Sequence, residues 1–305
     1  MPSSPSGPHP TTWDPPGSPS RDRDRGCLLA AACGDAFVGT PSRKAEASPP
    51  PCPTGITSLT LVLAEHLRGR TDDRGATIDR DRLVEEFTAA WQRDPDRGFG
   101  GGEIRIFLSV VNGIAWESAS VSAYGGKGSY GAGAAARVAP VGLLPVPMNP
   151  LAQLARDSAY VTHAHPLALE GAAIQACAVA YARRADRERP LAAFHLLSTV
   201  ARYSTSSEFR SQLARLSALT RGRYTHRDAV RALGRGATAA EAVPLALAAF
   251  LRSPDDLPEV VRFAASVDDG RGRVAAMAGA LAGARNGVDA VPRSWARRLE
   301  ESQEK

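Results

Sequence analysis

No run of 18 or more apolar residues occurs in the 305-residue sequence, which leaves it without a candidate membrane span. Its first residues, MPSSPSGPHP, lack the apolar core of a signal peptide. Positive charge is present but not in a long block: 37 Lys plus Arg stand against 32 Asp plus Glu, a formal +5, and both signs alternate in RDRDR and RRADRERP. A duplex-binding surface needs clustered positive charge, so nucleic acid is not an expected partner. Cys27, Cys33, Cys52 and Cys177 have neither C-x-x-C spacing nor the pattern of a small disulfide-stapled domain. The expectation is a soluble cytoplasmic protein with reduced thiols, not bound to membranes. No G-x-S-x-G elbow supports serine-hydrolase chemistry, and no G-x-x-x-x-G-K-[ST] loop supports a P-loop.

What is present points to helices. With 43% hydrophobic residues the chain can bury a large core. Residues 1–25 are rich in Pro, Ser and charge and are expected to be a disordered tail. The folded part is expected over 26–300, with 301–305 a charged end. Helical spacing is read in 26–39, 57–68, 79–93 and 104–121, then from Leu151 through two helices separated by a polar break. Further helices are expected at 191–200, 207–219, 227–233, 239–252, 257–266 and 273–285. In 79–93, Leu83, Phe87 and Trp91 share one face and are assigned to the core. No βαβ alternation and no fixed-period repeat occur, so the expected fold class is all-α, one compact domain with monomer favoured.

Residues 124–140, YGGKGSYGAGAAARVAP, hold five glycines in ten residues ahead of an alanine segment. Consecutive backbone amides in such a loop can surround a phosphate or ribose, and a structural loop fits the same residues. His163 and His165 are spaced i, i+2, which directs their rings apart and argues against a shared metal. The run TDDRGATIDRDR (71–82) resembles a divalent-cation cluster, but its arginines and its position before a helix favour an acidic cap. Asp268 and Asp269 are similarly accompanied by Arg271 and Arg273. Glu65, Glu85, Glu103 and Glu170 are each eligible as a general acid or base, and spacing does not choose among them.

Taken in order from residue 26 to residue 292, GCLLAAACGDAFVGTP, LTLVLAEHL, WESASVSAYGGKGSYGAGAAARVAPVGL, SAYVTHAHPLALEGA, GRGATAAEAVPLALAAFL and VAAMAGALAGARNGVDAVP resemble the ADP-ribosylglycohydrolase family. The resemblance implies an all-helical fold that binds ADP-ribose beside two magnesium ions. It implies ligand contacts from Gly128, Ser129, Tyr130, Gly131, Gly133 and His163.

The departures fall on the metal motifs. The family's T-D-D-T coincides with Thr54, Gly55, Ile56 and Thr57, and the TDD at 71–73 follows LTLVLAEHL instead of preceding it. The family's G-G-D-T-D-T-I coincides with Asp268 to Val274, placing Gly270 and Gly272 where carboxylates are expected and bringing in Arg271 and Arg273. The early glutamate falls near Arg43, and the asparagine of G-N-G is Ala132. No metal cofactor is therefore expected, because these residues remove the oxygen cage that magnesium needs. Arg271 and Arg273 become candidate ligand-binding residues, since guanidinium matches phosphate oxygens. The implied function is a hydrolase-like protein with metal-dependent hydrolysis lost or impaired, whose partner is ADP-ribose, a related nucleotide or an ADP-ribosylated protein. An active glycohydrolase using another base and a non-catalytic scaffold are the alternatives.

Overall fold

The structure, a computed structural model, describes residues 19–37, 53–68, 71–72, 75–236 and 238–303. In chain order it comprises α1 (Pro19–Ala36), α2 (Gly55–Arg68), β1 (Thr71–Asp72), β2 (Gly75–Ala76), α3 (Arg80–Arg93), α4 (Gly101–Val111), α5 (Trp116–Gly126) and α6 (Gly133–Arg137). There follow α7 (Ala139–Gly142), α8 (Met148–Tyr160), α9 (Pro166–Arg184), α10 (Ala193–Ala201), α11 (Ser207–Leu219) and α12 (His226–Leu233). The chain ends with α13 (Ala239–Arg252), α14 (Leu257–Val267), α15 (Arg273–Asn286) and α16 (Arg293–Gln303). The domain is almost entirely helical; β1 and β2 form a short antiparallel pair, Thr71 opposite Ala76.

Composition explains the centre. A helix that is apolar or small on every side belongs in the interior, and α15 is buried at every position from Val274 to Asn286. Helices α9 and α13 are buried nearly all round and pack against it. Helix α1 runs antiparallel to α15 in a register set by glycine. A Cβ on Gly34 would lie 2.2 Å from the Ala275 carbonyl oxygen, and one on Gly283 would lie 2.1 Å from that of Gly26. These backbones touch because no side chain separates them. The end of α1 and the start of α15 are thereby brought to the same rim of the fold.

Two expectations are corrected. Helix α1 begins at Pro19, not Gly26, because Asp24 pairs with Arg183 at 2.5 Å and Arg23 donates to the Ala185 carbonyl at 3.0 Å, tying this charged turn to the end of α9. The single helix expected over 104–121 is two, broken where Gly113 takes φ +76. Helix α16 and the β1–β2 pair were not anticipated. Leu83 and Phe87 are buried as expected, and Trp91 is half-buried against Phe107. Cys27, Cys33 and Cys177 are buried free thiols, with burial pushing Cys33 and Cys177 up to about 12; Cys52 and Arg43 lie outside the described residues.

Gly34→Val forces α1 away from α15 and is expected to cost about 3 kcal/mol, a fall of roughly 6 to 12 °C in melting temperature. Differential scanning calorimetry checks it.

Candidate functional site

The glycine segment closes α5 and leads into α6. Tyr124, Gly125, Gly126 and Gly128 all take positive φ, which turns the chain sharply before Ser129. Gly128 is required by close approach: a Cβ there would lie 2.7 Å from the His165 amide nitrogen. This contact seats the loop on the turn that carries His163. The turn is held in place by Arg137, a fully buried cation on α6. Its Nη1 donates to Glu103 Oε1 at 3.0 Å, and its Nη2 donates to Thr162 Oγ1 at 2.6 Å and to the Ser158 carbonyl at 3.3 Å. Its guanidinium carbon sits 4.7 Å from the centre of the Phe87 ring, and burial lowers its pKa to about 10.

Thr162 Oγ1 thus accepts from Arg137 and lies 2.8 Å from His163 Nδ1. Donation of the threonine proton to Nδ1 leaves the ring proton on Nε2, an assignment made from the hydrogen-bond network. Burial, then the Arg137 and Arg273 charges, hold the His163 pKa well below its usual value, so the ring is neutral at physiological pH. A neutral N–H donor therefore points toward Gly131 and Gly133.

These groups line one cavity of about 430 Å³. Ser129, Gly131, Gly133, His163, Arg271 and Arg273 meet there, as do Ile56 and Gly270. Gly128 and Tyr130 do not line it. Gly128 is spent on the contact with the 164–165 backbone, whereas Tyr130 faces a second cavity of about 580 Å³ with its ring against His165. The Tyr124 ring lines the first cavity and meets Tyr130 at 6.1 Å, so two half-exposed aromatic rings stand between the cavities. His163 and His165 diverge as their spacing requires: His165 accepts the Leu167 amide and caps α9.

The acidic groups near the cavity are engaged by the fold. Asp35 accepts from the amides and hydroxyls of both Thr54 and Thr57, at 2.7 to 3.2 Å, fastening the start of α2. Asp268 Oδ1 accepts the amides of Gly270, Arg271 and Gly272, and Oδ2 accepts those of Val274 and Ala275, capping α15. Glu103, one of four glutamates left open by the sequence, lines the cavity, but Oε1 is held by Arg137 and Oε2 by the Gly100 amide. Asp79 caps α3 and Asp81 accepts from Trp116 Nε1, which accounts for much of the 71–82 cluster. Arg273 Nη2 donates to Asp269 Oδ2 at 2.6 Å, while its buried Nε has no partner. Arg271 is exposed and stands 3.9 Å from the same carboxylate. The Asp269 carboxylate faces two guanidinium groups, which add positive charge to a rim that also holds the hydrogen-bonded carboxylates of Asp268 and Glu103.

The model of the ADP-ribosylglycohydrolase family matches residues 16–305. The chain belongs to the ADP-ribosylglycohydrolase family. Its similarity to ADP-ribosylhydrolase ARH3 of Homo sapiens is 30% identity over 270 residues, covering 79% of this chain and 73% of that protein. ADP-ribosylhydrolase ARH3 of Xenopus tropicalis is 32% identical over 240 residues, covering 70% and 69%. A solved structure, an ADP-ribosylglycohydrolase-related protein complex, aligns with a TM-score of 0.68 at 26% identity, covering 93% of this chain and 94% of that one.

The magnesium pair implied by the family resemblance does not fit these residues. Among the described residues no group of three His, Cys, Asp or Glu side chains is placed to hold a metal ion. The difference is built into the backbone as well. A Cβ at Gly55 would lie 2.6 Å from Phe99 Cδ1, so Phe99 fills the space a side chain there would need. Gly270 and Gly272 take φ +88 and +75, which strains any other residue. This member of the ADP-ribosylglycohydrolase family has no intact metal-binding cluster among its described residues, a composition consistent with impaired catalysis. No helix among them is long and apolar enough to cross a membrane.

Gly55→Asp is expected to lose about 1 to 3 kcal/mol of folding stability and to gain no stabilisation from added magnesium, read by thermal melts with and without the ion. For His163, the unfolded chain takes up a proton below pH about 6.5 while the folded chain resists it. Its contribution to stability is complete above that pH and is lost as pH falls through and below it. His163→Gln should therefore flatten the decline in melting temperature between pH 7 and pH 5.

Proposed function

We propose that this protein binds ADP-ribose, free or attached to a protein, without a divalent metal, and that it hydrolyses the glycosidic bond poorly or not at all. The observation that carries this reading is the meeting of the glycine loop, His163, Arg271 and Arg273 on one open cavity whose nearby carboxylates are already hydrogen-bonded. A volume of about 430 Å³ lies in the range of small-molecule sites. The two guanidinium groups supply charge for a diphosphate, with Arg273 presenting a buried N–H that has no partner in the protein. His163 Nε2–H and the Ser129 hydroxyl supply neutral polar contacts suited to phosphate or ribose oxygens. Tyr124 and Tyr130 offer exposed ring faces to a purine.

The same geometry accounts for weak chemistry. Hydrolysis needs a water made nucleophilic by a metal or by a free general base. Glu103 is the carboxylate that lines the cavity among the described residues, and both of its oxygens are committed. Its pairing with Arg137 favours orientation of the His163 turn over proton abstraction.

Calorimetric titration with ADP-ribose is expected to give the same affinity in magnesium and in chelator. Arg273→Ala should weaken binding by about 10- to 100-fold, the scale of a lost charge-assisted contact. Magnesium-dependent affinity, or none in either buffer, would overturn the proposal.

A further inference from the structure

The positive charge that alternates with acidic residues in much of the sequence is concentrated in one part of the fold. Between Arg202 and Arg235 eight arginines stand against Glu208 and Asp228, a net +6, while the whole chain has a formal charge of +5. The remainder is therefore slightly acidic. All eight arginines are exposed. They lie on the ends and outer faces of α10, α11 and α12, and Gln212 ties α11 to the end of α12 by donating to the Leu233 carbonyl at 3.1 Å.

The local acids do not neutralise this surface. Asp228 completes the capping box of α12 with the N-cap Thr225, accepting from the Thr225 amide at 3.0 Å and the Thr225 hydroxyl at 2.7 Å. Glu208 accepts from Ser207 at 3.0 Å. Among the described residues, the single ion pair made by the eight arginines is Arg231 with Asp228, at 3.9 Å. Keeping so many like charges together on an otherwise slightly acidic protein is unfavourable unless a counter-charge is met.

We propose that the α11–α12 face docks an acidic protein segment, rich in Asp and Glu, beside the cavity. The position supports a carrier role for that segment: Arg215 lines the second cavity together with Tyr130, so the basic face begins at the rim next to the glycine loop. A protein is favoured over a single-stranded nucleic acid by the aromatic residues. Strand binding of that kind relies on a series of exposed rings for base stacking, and among the aromatics on and between α10, α11 and α12 Phe194 alone is exposed, while Tyr203, Phe209 and Tyr224 are buried. Carboxylates, by contrast, need only the exposed guanidinium forks. The docking is independent of the ADP-ribose reading, because the face can be tested with a peptide that carries no nucleotide.

The test is fluorescence anisotropy of the full chain with a labelled 20-residue Glu/Gly peptide, beside an uncharged peptide and 20-nucleotide single- and double-stranded DNA. The acidic peptide should bind, more weakly as salt rises, and the uncharged one should not. The triple substitution Arg221→Glu, Arg223→Glu, Arg227→Glu should reduce peptide affinity by roughly tenfold or more while leaving ADP-ribose affinity unchanged. If that variant folds poorly, the corresponding triple glutamine variant, with a wild-type melting curve, serves the same comparison. No acidic-peptide binding, affinity unaffected by the substitutions, or DNA bound as tightly as the peptide would overturn the proposal. The last outcome would assign the face to nucleic acid or to charge alone.

Discussion

Backbone contact between α1 and α15 is the constraint from which the site follows. Gly34 against Ala275, and Gly283 against Gly26, allow the two helices to lie closer than side chains permit. Their antiparallel register delivers Asp35 at one helix end and the 268–273 turn at the other to a shared rim. The same small-residue packing lets α6 follow directly from the glycine loop into the core, where its Arg137 reaches the turn of His163. The cavity is therefore bounded by helix termini and by one loop pressed onto another.

Carboxylates at such a rim can collect cations or satisfy the backbone. Here they satisfy the backbone. Asp268 takes five amides, Asp35 takes two amides and two hydroxyls, and Glu103 is shared between Arg137 and the Gly100 amide. A buried charge without partners is costly, so these bonds are a condition of keeping the acids there. Once they are made, the lone pairs of these acids are turned to protein donors and are not free to coordinate a divalent ion. Arg271 and Arg273 then add positive charge to the rim, and the neutral His163 adds a donor without changing its charge.

Much of the fold was legible because helical periodicity is local. The apolar spacing in 79–93 and the small-residue run of 273–285 each marked an element that is present, and the polar break expected after Leu151 falls between α8 and α9. The split between α4 and α5 was hidden by the strong apolar pattern on both sides of Gly113, and the early start of α1 depends on ion pairing with a helix more than 150 residues away. In the site, the sequence indicated Ser129, Gly131, Gly133, His163 and the arginines of the 268–273 turn. It did not separate the cavity-facing glycines from Gly128, whose role is fixed by the backbone of His165. Nor did it assign Tyr130 to the neighbouring cavity. Arg137 carried a readable signal, a single cation within an alanine run, but its pairing with Thr162 and Glu103 is tertiary. Tyr124 and Phe99 likewise gained meaning when distant segments were brought together.

The central claim is that guanidinium groups stand where other members of the family are expected to use metal. The most direct measurement is a crystal structure with ADP-ribose soaked in the presence of manganese, with anomalous scattering used to find the ion. The account predicts a diphosphate within hydrogen-bonding distance of Arg273 and no manganese peak beside it. A manganese peak between the ligand and the Thr54–Thr57 or 268–273 segments, or a ligand bound away from Arg273, would contradict it.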